Sequence, residues 1–119
     1  MPVEVRQEGG RLLVGVIRGV LRKSEVDAFQ QAAADLIHRE TTITSLIVLD
    51  GFEGWERSAA WGDVTFMEQH DAALEKIAIV GPSEHEDQMM IFFVAPLRGG
   101  RVRYFSSEPE ARLWLGTQQ

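Results

Sequence analysis

The sequence predicts a small α/β sandwich, whose mostly parallel five-stranded sheet begins with an antiparallel hairpin and follows the order ββαβαβαβα. Two short runs that are apolar throughout, at 46–49 and 77–80, are typical of strands buried on both faces of a sheet. Helical patterns separate these runs, so the strands should lie parallel, with helices covering the sheet. Between two β-rich runs, the dipeptide Gly9-Gly10 supplies the positive φ angles that a tight hairpin needs.

The first three elements are the two hairpin strands and a helix. The β-rich runs at 3–8 and 11–21 form the predicted antiparallel hairpin. The helix is predicted over 24–40, with Ser24 as its N-cap and Asp27 in the capping-box position. Its apolar stripe has the three- and four-residue spacing of a buried helix face and consists of Val26, Phe29, Ala33, Leu36 and Ile37.

Two further helices and an edge strand complete the predicted order. The polar stretch at 57–70, between the two buried strands, is assigned to a helix. A last strand at 101–105 alternates between polar and apolar residues, as a half-exposed strand does. A short helix over 108–115 follows it; Ser107, with Glu110 three residues later, caps its start and Gly116 takes the stop position.

The segment at 84–95 has two possible readings. Ser83 and Glu86 have the spacing of a capping box, which predicts a helix that begins at about residue 84. Its apolar part, residues 89–94, could by itself be a strand. The cap and Pro96 at the far end favour the helix.

Length and composition indicate one domain over residues 1–119 and exclude several functions. The hydrophobic content of 45% is enough for one continuous core. The chain has no cysteine, so it has no disulfide, no thiolate nucleophile and no cysteine metal site. A net charge of −6 is the wrong sign for binding a phosphate backbone, and we expect no nucleic-acid partner. Neither a membrane span nor a signal-peptide pattern is present, which predicts a cytoplasmic protein.

Four segments form a pattern that is specific when they are taken together and in order. They are LIVLDGFEGW at 46–55, AAW at 59–61, KIAIVG at 76–81 and VRYFSSEPEARLWL at 102–115, with a helix that ends near His70. This pattern resembles the SpoIIAA-like family over nearly the whole chain. The resemblance implies a fold shared with STAS domains and likened to the lipid-binding CRAL-TRIO (Sec14-like) domain. It also implies a non-enzymatic bacterial protein that binds apolar ligands or membranes, often as a dimer.

The same resemblance bears on a phosphoserine switch. STAS domains that antagonise anti-sigma factors carry an aspartate–serine pair at the start of the helix after the third strand, and the serine is phosphorylated. The corresponding region here reads GWERSAAW, in which Ser58 lies near the expected position. Arg57 replaces the aspartate and no second serine follows. We therefore predict that Ser58 is not a regulatory phosphosite.

The candidate ligand site is apolar and lies at the carboxyl ends of the strands, where ligands usually meet an open α/β sheet. Trp61 and Phe66 project about 100° to either side of the stripe that docks their helix, which gives them either a ligand-facing role or a place in the seams between helices. The helix over 84–95 is apolar all round and needs a second partner beyond the sheet. The predicted ligand-binding residues are Trp55, Trp61, Phe66, Met89, Phe92 and Phe93.

Polar candidates give weaker signals. The run His85-Glu86-Asp87 resembles a metal cluster only in composition, and its charges are interpreted as helix-capping charges. Asp50 could orient a ligand or act as a base, but an aspartate at this place more often braces a turn. Arg101 and Arg103 are expected to be solvated on the last edge strand, where charge discourages aggregation. No cofactor and no metal are expected.

The main functional hypothesis is a binding protein that holds an apolar or lipid-like ligand between the sheet and the helices at 57–70 and 84–95. Peripheral association with the inner face of the membrane is a variant of this hypothesis. The alternative is a STAS-type protein-interaction module without a phosphoserine switch. Hydrolysis by Asp50 or Ser58 is the weakest hypothesis. Because the apolar helix exceeds what one sheet face can cover, a homodimer is expected.

Overall fold

The computed structural model describes residues 3–56, 69–92 and 101–116, which form one five-stranded sheet with helices on both faces. The strands are β1 (Val3–Glu8), β2 (Leu12–Leu21), β3 (Ile43–Trp55), β4 (Leu74–Val80) and β5 (Val102–Phe105). The helices of the described ranges are α1 (Lys23–Glu40), α2 (Glu86–Phe92) and α3 (Glu108–Gly116). Short 3₁₀ turns at Asp71–Ala73 and Ser83–His85 precede β4 and α2.

The strands lie in the sheet in their sequence order, β1-β2-β3-β4-β5. β1 pairs with β2 in antiparallel fashion, and the other three pairings are parallel. The predicted hairpin and the mostly parallel sheet are therefore confirmed. Because parallel neighbours need a crossover between them, the helices that follow β2 and β4 in the described ranges are consequences of this order.

One face of the sheet is covered by α1 and α2 and holds the larger core cluster. Alternate residues of β2, β3 and β4 point to this face, as the twofold period of a strand requires. Helix residues that complete the cluster include Ala33 and Leu36 of α1 and Met89 of α2, which is 0% exposed. The buried strand residues nearest the centre are Leu13, Ile17, Ile47, Ile77 and Ile79.

The opposite face carries a smaller cluster under α3. Val14, Leu46 and Ala78 lie next to one another on β2, β3 and β4 and are fully buried. Trp114 of α3 packs on this face, with its ring 5.8 Å from the ring of Phe105. The two sets of buried side chains alternate along β3 and β4, which confirms that these strands are buried on both faces.

Two of the predicted helix starts are wrong in detail. The chain passes from β2 into α1 through Arg22 alone, so α1 begins at Lys23 and neither Ser24 nor Asp27 caps it. The carboxylate of Glu25 instead accepts a hydrogen bond from the Arg22 backbone N–H at 2.8 Å. At α2, residues 83–85 form a 3₁₀ turn after Pro82, and the α-helix begins only at Glu86.

The start of α3 agrees with its predicted cap. The Ser107 side-chain oxygen accepts a long hydrogen bond, 3.5 Å, from the Glu110 backbone N–H. The Ser107 carbonyl oxygen also accepts the first helical hydrogen bond, from Ala111 at 3.1 Å. The helix extends to Gly116, close to the predicted end.

β3 is longer than the apolar run that predicts it. It continues beyond Leu49 as far as Trp55, because glycines absorb the irregular backbone in this half of the strand. Gly51 and Gly54 have φ angles of 72° and 126°, and Gly19 on the neighbouring β2 has a φ angle of 65°. Such angles are costly for residues with a Cβ atom. The segment 50–55, which lies beyond the predicted apolar run at 46–49, is thus also strand.

The arginines of the last strand have defined partners. Arg101, just before β5, donates a hydrogen bond to the carbonyl oxygen of Leu74 at 3.3 Å. The Arg103 guanidinium lies 5.4 Å from the centre of the Trp114 ring, and Lys76 lies 5.1 Å from the same ring. Arg103 is exposed, as expected, although its guanidinium also lies against the Trp114 ring. Arg101 is half-buried and bonded to a backbone carbonyl, so the expectation that it is solvated is wrong.

Charged side chains on the α3 face form a continuous chain of ion pairs from β3 across β1 to α3. In order, the residues are Asp50, Arg18, Glu4, Arg6, Glu8, Arg112 and Glu108. Each forms an ion pair with the next, and the successive nitrogen–oxygen distances are 3.0, 3.3, 3.0, 3.4, 2.9 and 2.9 Å. Asp50 therefore braces the sheet through Arg18, which fits the bracing role more closely than a ligand-orienting one.

We expect this ion-pair chain to make stability sensitive to acid. Hydrogen bonds from Arg18 and then Arg6 lower the pKa of Glu4, and one from Arg112 lowers the pKa of Glu8, both from an ordinary value of 4.5. Because the folded-state pKa is the lower one, the stabilisation is complete above pH 4.5 and is lost as the pH falls below that value and through the lower folded-state pKa. The loss should be small, since exposed ion pairs contribute little.

Thermal melts of the wild type and of the Glu4→Gln/Glu8→Gln double variant check this expectation. As the pH falls below 4.5, the melting temperature of the wild type should decrease more than that of the double variant. Parallel declines in the two proteins would show that the ion pairs do not cause the acid sensitivity.

Candidate functional site

The carboxyl end of β3 extends past the end of β4 and forms the centre of the candidate site. Val48 of β3 pairs with Val80, the last residue of β4, whereas β3 itself continues to Trp55 beside the end of β2. The 3₁₀ turn and the start of α2 lie against this extension. The parallel topology thus places the end of β3 and the start of α2 at one edge of the sheet, as predicted from the sequence.

Three aromatic rings pack against one another at this edge. The Phe52 ring lies 5.4 Å from the Trp55 ring and 4.9 Å from the His85 ring, with interplanar angles of 81° and 80°. These are edge-to-face contacts, which aromatic rings prefer and which contribute about 0.5–1.5 kcal/mol each. Phe52 is buried, whereas Trp55 and His85 are half-buried. We call this cluster of Phe52, Trp55 and His85 the aromatic ledge.

Glu56, the residue after Trp55, makes two hydrogen bonds that hold this end of the aromatic ledge in place. The Glu56 backbone N–H donates to the carbonyl oxygen of Leu21 at 2.9 Å. Its carboxylate accepts from the backbone N–H of Lys23 at 2.6 Å, at the first turn of α1. Because both bonds join the residue after Trp55 to the β2–α1 connection, they limit the positions that the indole can adopt.

The connection between β4 and α2 is fixed from the other side by Tyr104. Its hydroxyl donates a hydrogen bond of 2.5 Å to the carbonyl oxygen of Pro82. Burial raises the pKa of Tyr104 above its usual value, and the charges of Glu86 and Glu84 raise it further. A Cβ atom at Gly81 would lie 2.7 Å from the Tyr104 hydroxyl, so only glycine allows this close approach.

The first turns of α2 combine a buried and an exposed face. Gln88 accepts a long hydrogen bond, 3.4 Å, from the Trp55 indole N–H. Ile91 lies one turn further along the helix and is 72% exposed. We call Trp55, Gln88 and Ile91 the edge strip. Met89, between the last two in sequence, points the other way into the core.

Of the six predicted ligand-binding residues, one lies at the candidate site, one lies in the core, and the side chains of the other four lie outside the described part of the chain. Trp55 lies at the carboxyl end of β3, and its role in ligand binding stays a prediction. Met89 is fully buried in the core, and its packing there accounts for it without a ligand. Trp61, Phe66 and Phe93 lie outside the described residues, and so does the side chain of Phe92. Only residues 69 and 70 of the helix predicted over 57–70 are described, and both are helical.

His85, Phe52 and Glu56 contribute to the site although no sequence pattern predicted it. His85 was expected to be a capping charge, whereas its ring packs edge-on against Phe52. The two glycines Gly51 and Gly54 are the sequence feature from which this site could have been predicted. Glycine within a strand pattern often marks a bulge, and a bulged strand that continues to Trp55 carries Phe52 to the edge of the sheet.

The structure describes two of the polar candidates, His85 and Asp50, and does not bring them together. In the described part of the chain, no three histidine, aspartate or glutamate side chains come together to hold a metal ion. Asp50 pairs with Arg18 on the opposite face of the sheet from His85. Ser58 lies outside the described residues. Within the described ranges, no helix is both long and apolar enough to cross a bilayer.

The fold and the site together define a small α/β domain that presents an aromatic ledge at the carboxyl edge of a mixed sheet. The sequence matches the model of the SpoIIAA-like family over residues 12–116, and the chain belongs to this family. No curated protein matches the sequence.

Two solved structures are similar in fold. A protein with a SpoIIAA-like fold from Shewanella loihica PV-4 superposes with a TM-score of 0.71 at 19% identity, over 95% of this chain and 91% of that one. The anti-sigma factor antagonist SpoIIAA in its unphosphorylated form superposes with a TM-score of 0.63 at 15% identity, over 98% and 99%. These matches support the SpoIIAA-like fold but not the expected likeness to CRAL-TRIO (Sec14-like) domains.

Proposed function

We propose that this chain is a non-enzymatic regulatory module that docks a protein partner on the edge strip of Trp55, Gln88 and Ile91. The observation that carries the proposal is the exposure of Ile91, 72%, one helical turn from the residue that accepts the Trp55 hydrogen bond. A rigid tryptophan beside an exposed aliphatic side chain is a common centre for a protein interface. Because the Glu56 and Tyr104 contacts already order this edge, a partner would bind with little loss of conformational entropy.

The charges around the edge strip indicate the character of the partner. Glu84, Glu86 and Asp87 are exposed in the 3₁₀ turn and at the start of α2, next to the aromatic ledge. An acidic rim favours a partner surface that is basic at its margin and apolar at its centre, since complementary potentials speed association. The proposed partner is therefore a protein with a basic, partly apolar surface.

The similar structures suggest which partner to test first. One of them is an anti-sigma factor antagonist, so an anti-sigma factor from the same genome is the first candidate. Because Arg57 stands where the aspartate of the phosphorylation motif is expected, docking on this chain is proposed to be independent of a phosphoserine switch.

Charge substitution at Ile91 tests the proposal. In titration calorimetry with the co-genomic anti-sigma factors, Ile91→Glu should weaken binding by on the order of tenfold or more, equivalent to about 1.4 kcal/mol. Leu113→Glu is the matched control, because Leu113 is 73% exposed on α3 and belongs to the other face. Both variants should retain the wild-type melting temperature. Equal binding by the two variants, or no binding by the wild type, would contradict the proposal.

Apolar ligands, membranes and a second copy of the chain are the other occupants that this strip could accept. Organic extraction of the purified protein followed by mass spectrometry detects a stoichiometric bound lipid. Flotation with anionic vesicles detects membrane association, and light scattering detects a homodimer that depends on Ile91. A bound lipid, together with no binding of a protein partner, would favour the apolar-ligand hypothesis over protein docking.

A further inference from the structure

α3 presents an exposed apolar side chain to solvent, on the face of the sheet opposite α2. Leu113 is 73% exposed, although its neighbours Ala111 and Trp114 pack against the sheet. A single exposed leucine is common on a protein surface and by itself indicates nothing. The charged side chains beside Leu113 are what give this part of the surface a defined character.

Two basic side chains meet at the ring of Trp114, the residue after Leu113. The Lys76 ammonium lies 5.1 Å and the Arg103 guanidinium 5.4 Å from the ring centre. Lys76 is fixed there, because its ammonium also donates a hydrogen bond of 2.8 Å to the carbonyl oxygen of Trp114. The negative face of an indole attracts cations, which allows two like charges to approach one ring. We call Lys76, Arg103, Leu113 and Trp114 the basic-aromatic patch.

Arg103 differs from the arginines within β1 and β2. Arg6 and Arg18 each form an ion pair with a carboxylate at 3.0 Å. In the part of the chain that the structure describes, no carboxylate pairs with Arg103, whose guanidinium lies against the Trp114 ring. Because Arg103 is exposed in a chain whose net charge is −6, it can meet a carboxylate from another protein.

We propose that the basic-aromatic patch docks a second protein partner, whose surface carries a carboxylate beside an apolar side chain. The carboxylate meets Arg103 and Lys76, and the apolar side chain covers Leu113. Tryptophan and arginine are enriched among the residues that contribute most to binding at protein interfaces. A bidentate contact between a guanidinium and a carboxylate also fixes the orientation of the partner.

Charge makes this surface select a different partner from the edge strip. The rim of the edge strip is acidic, whereas the basic-aromatic patch carries two cations, so the two surfaces prefer partners of opposite sign. A second copy of the patch is disfavoured, because it brings cations against cations. The proposal does not rest on the proposed function, since α3 and α2 lie on opposite faces of the sheet. The chain is thus able to connect two proteins.

Photo-crosslinking in cells of the organism that encodes the chain gives the first test. The full chain carries p-benzoylphenylalanine in place of Leu113 and, in a separate control, in place of Ile91. The Leu113 position should yield an adduct with one other protein, whose crosslinked peptide contains an acidic residue beside an apolar one. No adduct, an adduct with a second copy of the chain, or the same adduct from both positions overturns the proposal.

Charge reversal in titration calorimetry with the crosslinked protein tests the sign of the partner. Arg103→Glu should weaken binding by on the order of tenfold or more. Glu110→Lys is the matched control: Glu110 is exposed on α3 three residues before Leu113, and removing its negative charge should leave binding unchanged or tighten it. Ile91→Glu should bind like the wild type, which separates this site from the edge strip. Wild-type binding by Arg103→Glu, or weaker binding by Glu110→Lys, overturns the proposal.

Discussion

Replacing Met89 with alanine is expected to lower the free energy of unfolding by about 2–5 kcal/mol, the range for truncating a fully buried methionine. The side chain is 0% exposed and belongs to the core cluster under α1 and α2. Its removal takes away a buried apolar contact between α2 and the sheet and leaves a cavity. Because a domain of this size has a total stability of about 5–15 kcal/mol, the change should be plain in chemical denaturation.

Ile91→Ala is the matched control for this prediction. The two residues are two positions apart on the same helix, and Ile91 is 72% exposed. Truncation at an exposed position of this kind should alter stability by no more than about 0.5 kcal/mol. If Met89→Ala were as stable as Ile91→Ala, the Met89 side chain would not belong to the core. The sequence-based prediction that Met89 binds a ligand would then be favoured.

Replacing Gly15 with alanine is expected to destabilise the protein by a net amount on the order of 1–2 kcal/mol. A Cβ atom at this position would lie 2.7 Å from Cε1 of the Phe29 ring. Relieving this overlap costs about 1–3 kcal/mol in a packed core. Alanine also reduces the entropy of the unfolded chain, but that gain is only about 0.4–1 kcal/mol. The cost of relieving the overlap therefore exceeds the entropic gain, and the substitution is destabilising.

A double-mutant cycle with Phe29→Leu attributes the loss to this contact. The smaller side chain leaves room for the new methyl group, so the cost of Gly15→Ala should fall in the Phe29→Leu background. Gly116→Ala is the control, because no atom lies within 4 Å of a Cβ there and the substitution should be neutral or slightly stabilising. Equal costs in both backgrounds would show that Phe29 does not cause the effect.

Most of the fold could be predicted because hydrophobic periodicity is a local property. The runs at 46–49 and 77–80 are apolar on consecutive positions, which only a strand covered on both faces explains in so short a length. The hairpin followed from Gly9-Gly10, whose φ angles are 61° and 85° in the structure. Helix boundaries were less predictable, since the cap of α1 depends on how closely β2 leads into it.

Less of the candidate site could be predicted. Trp55 was expected at the carboxyl edge because parallel strands end at a common edge, and that edge is where α/β domains present their surfaces. The side chains that hold Trp55 come from other elements: Glu56 reaches the start of α1, and Gln88 belongs to α2. No spacing in the sequence reports such contacts, because they depend on which elements become neighbours.

By itself the sequence determined the fold class, the strand order along the chain and the apolar character of the carboxyl edge, because burial imposes periods of two and about 3.6 residues on the chain. The tertiary structure alone decided three other matters: how far β3 extends, which face of α2 is buried, and which charges meet across the sheet. Met89 and Ile91 are both apolar, yet one is core and the other surface. The chain of ion pairs from Asp50 to Glu108 joins residues far apart in sequence, which only packing brings within reach.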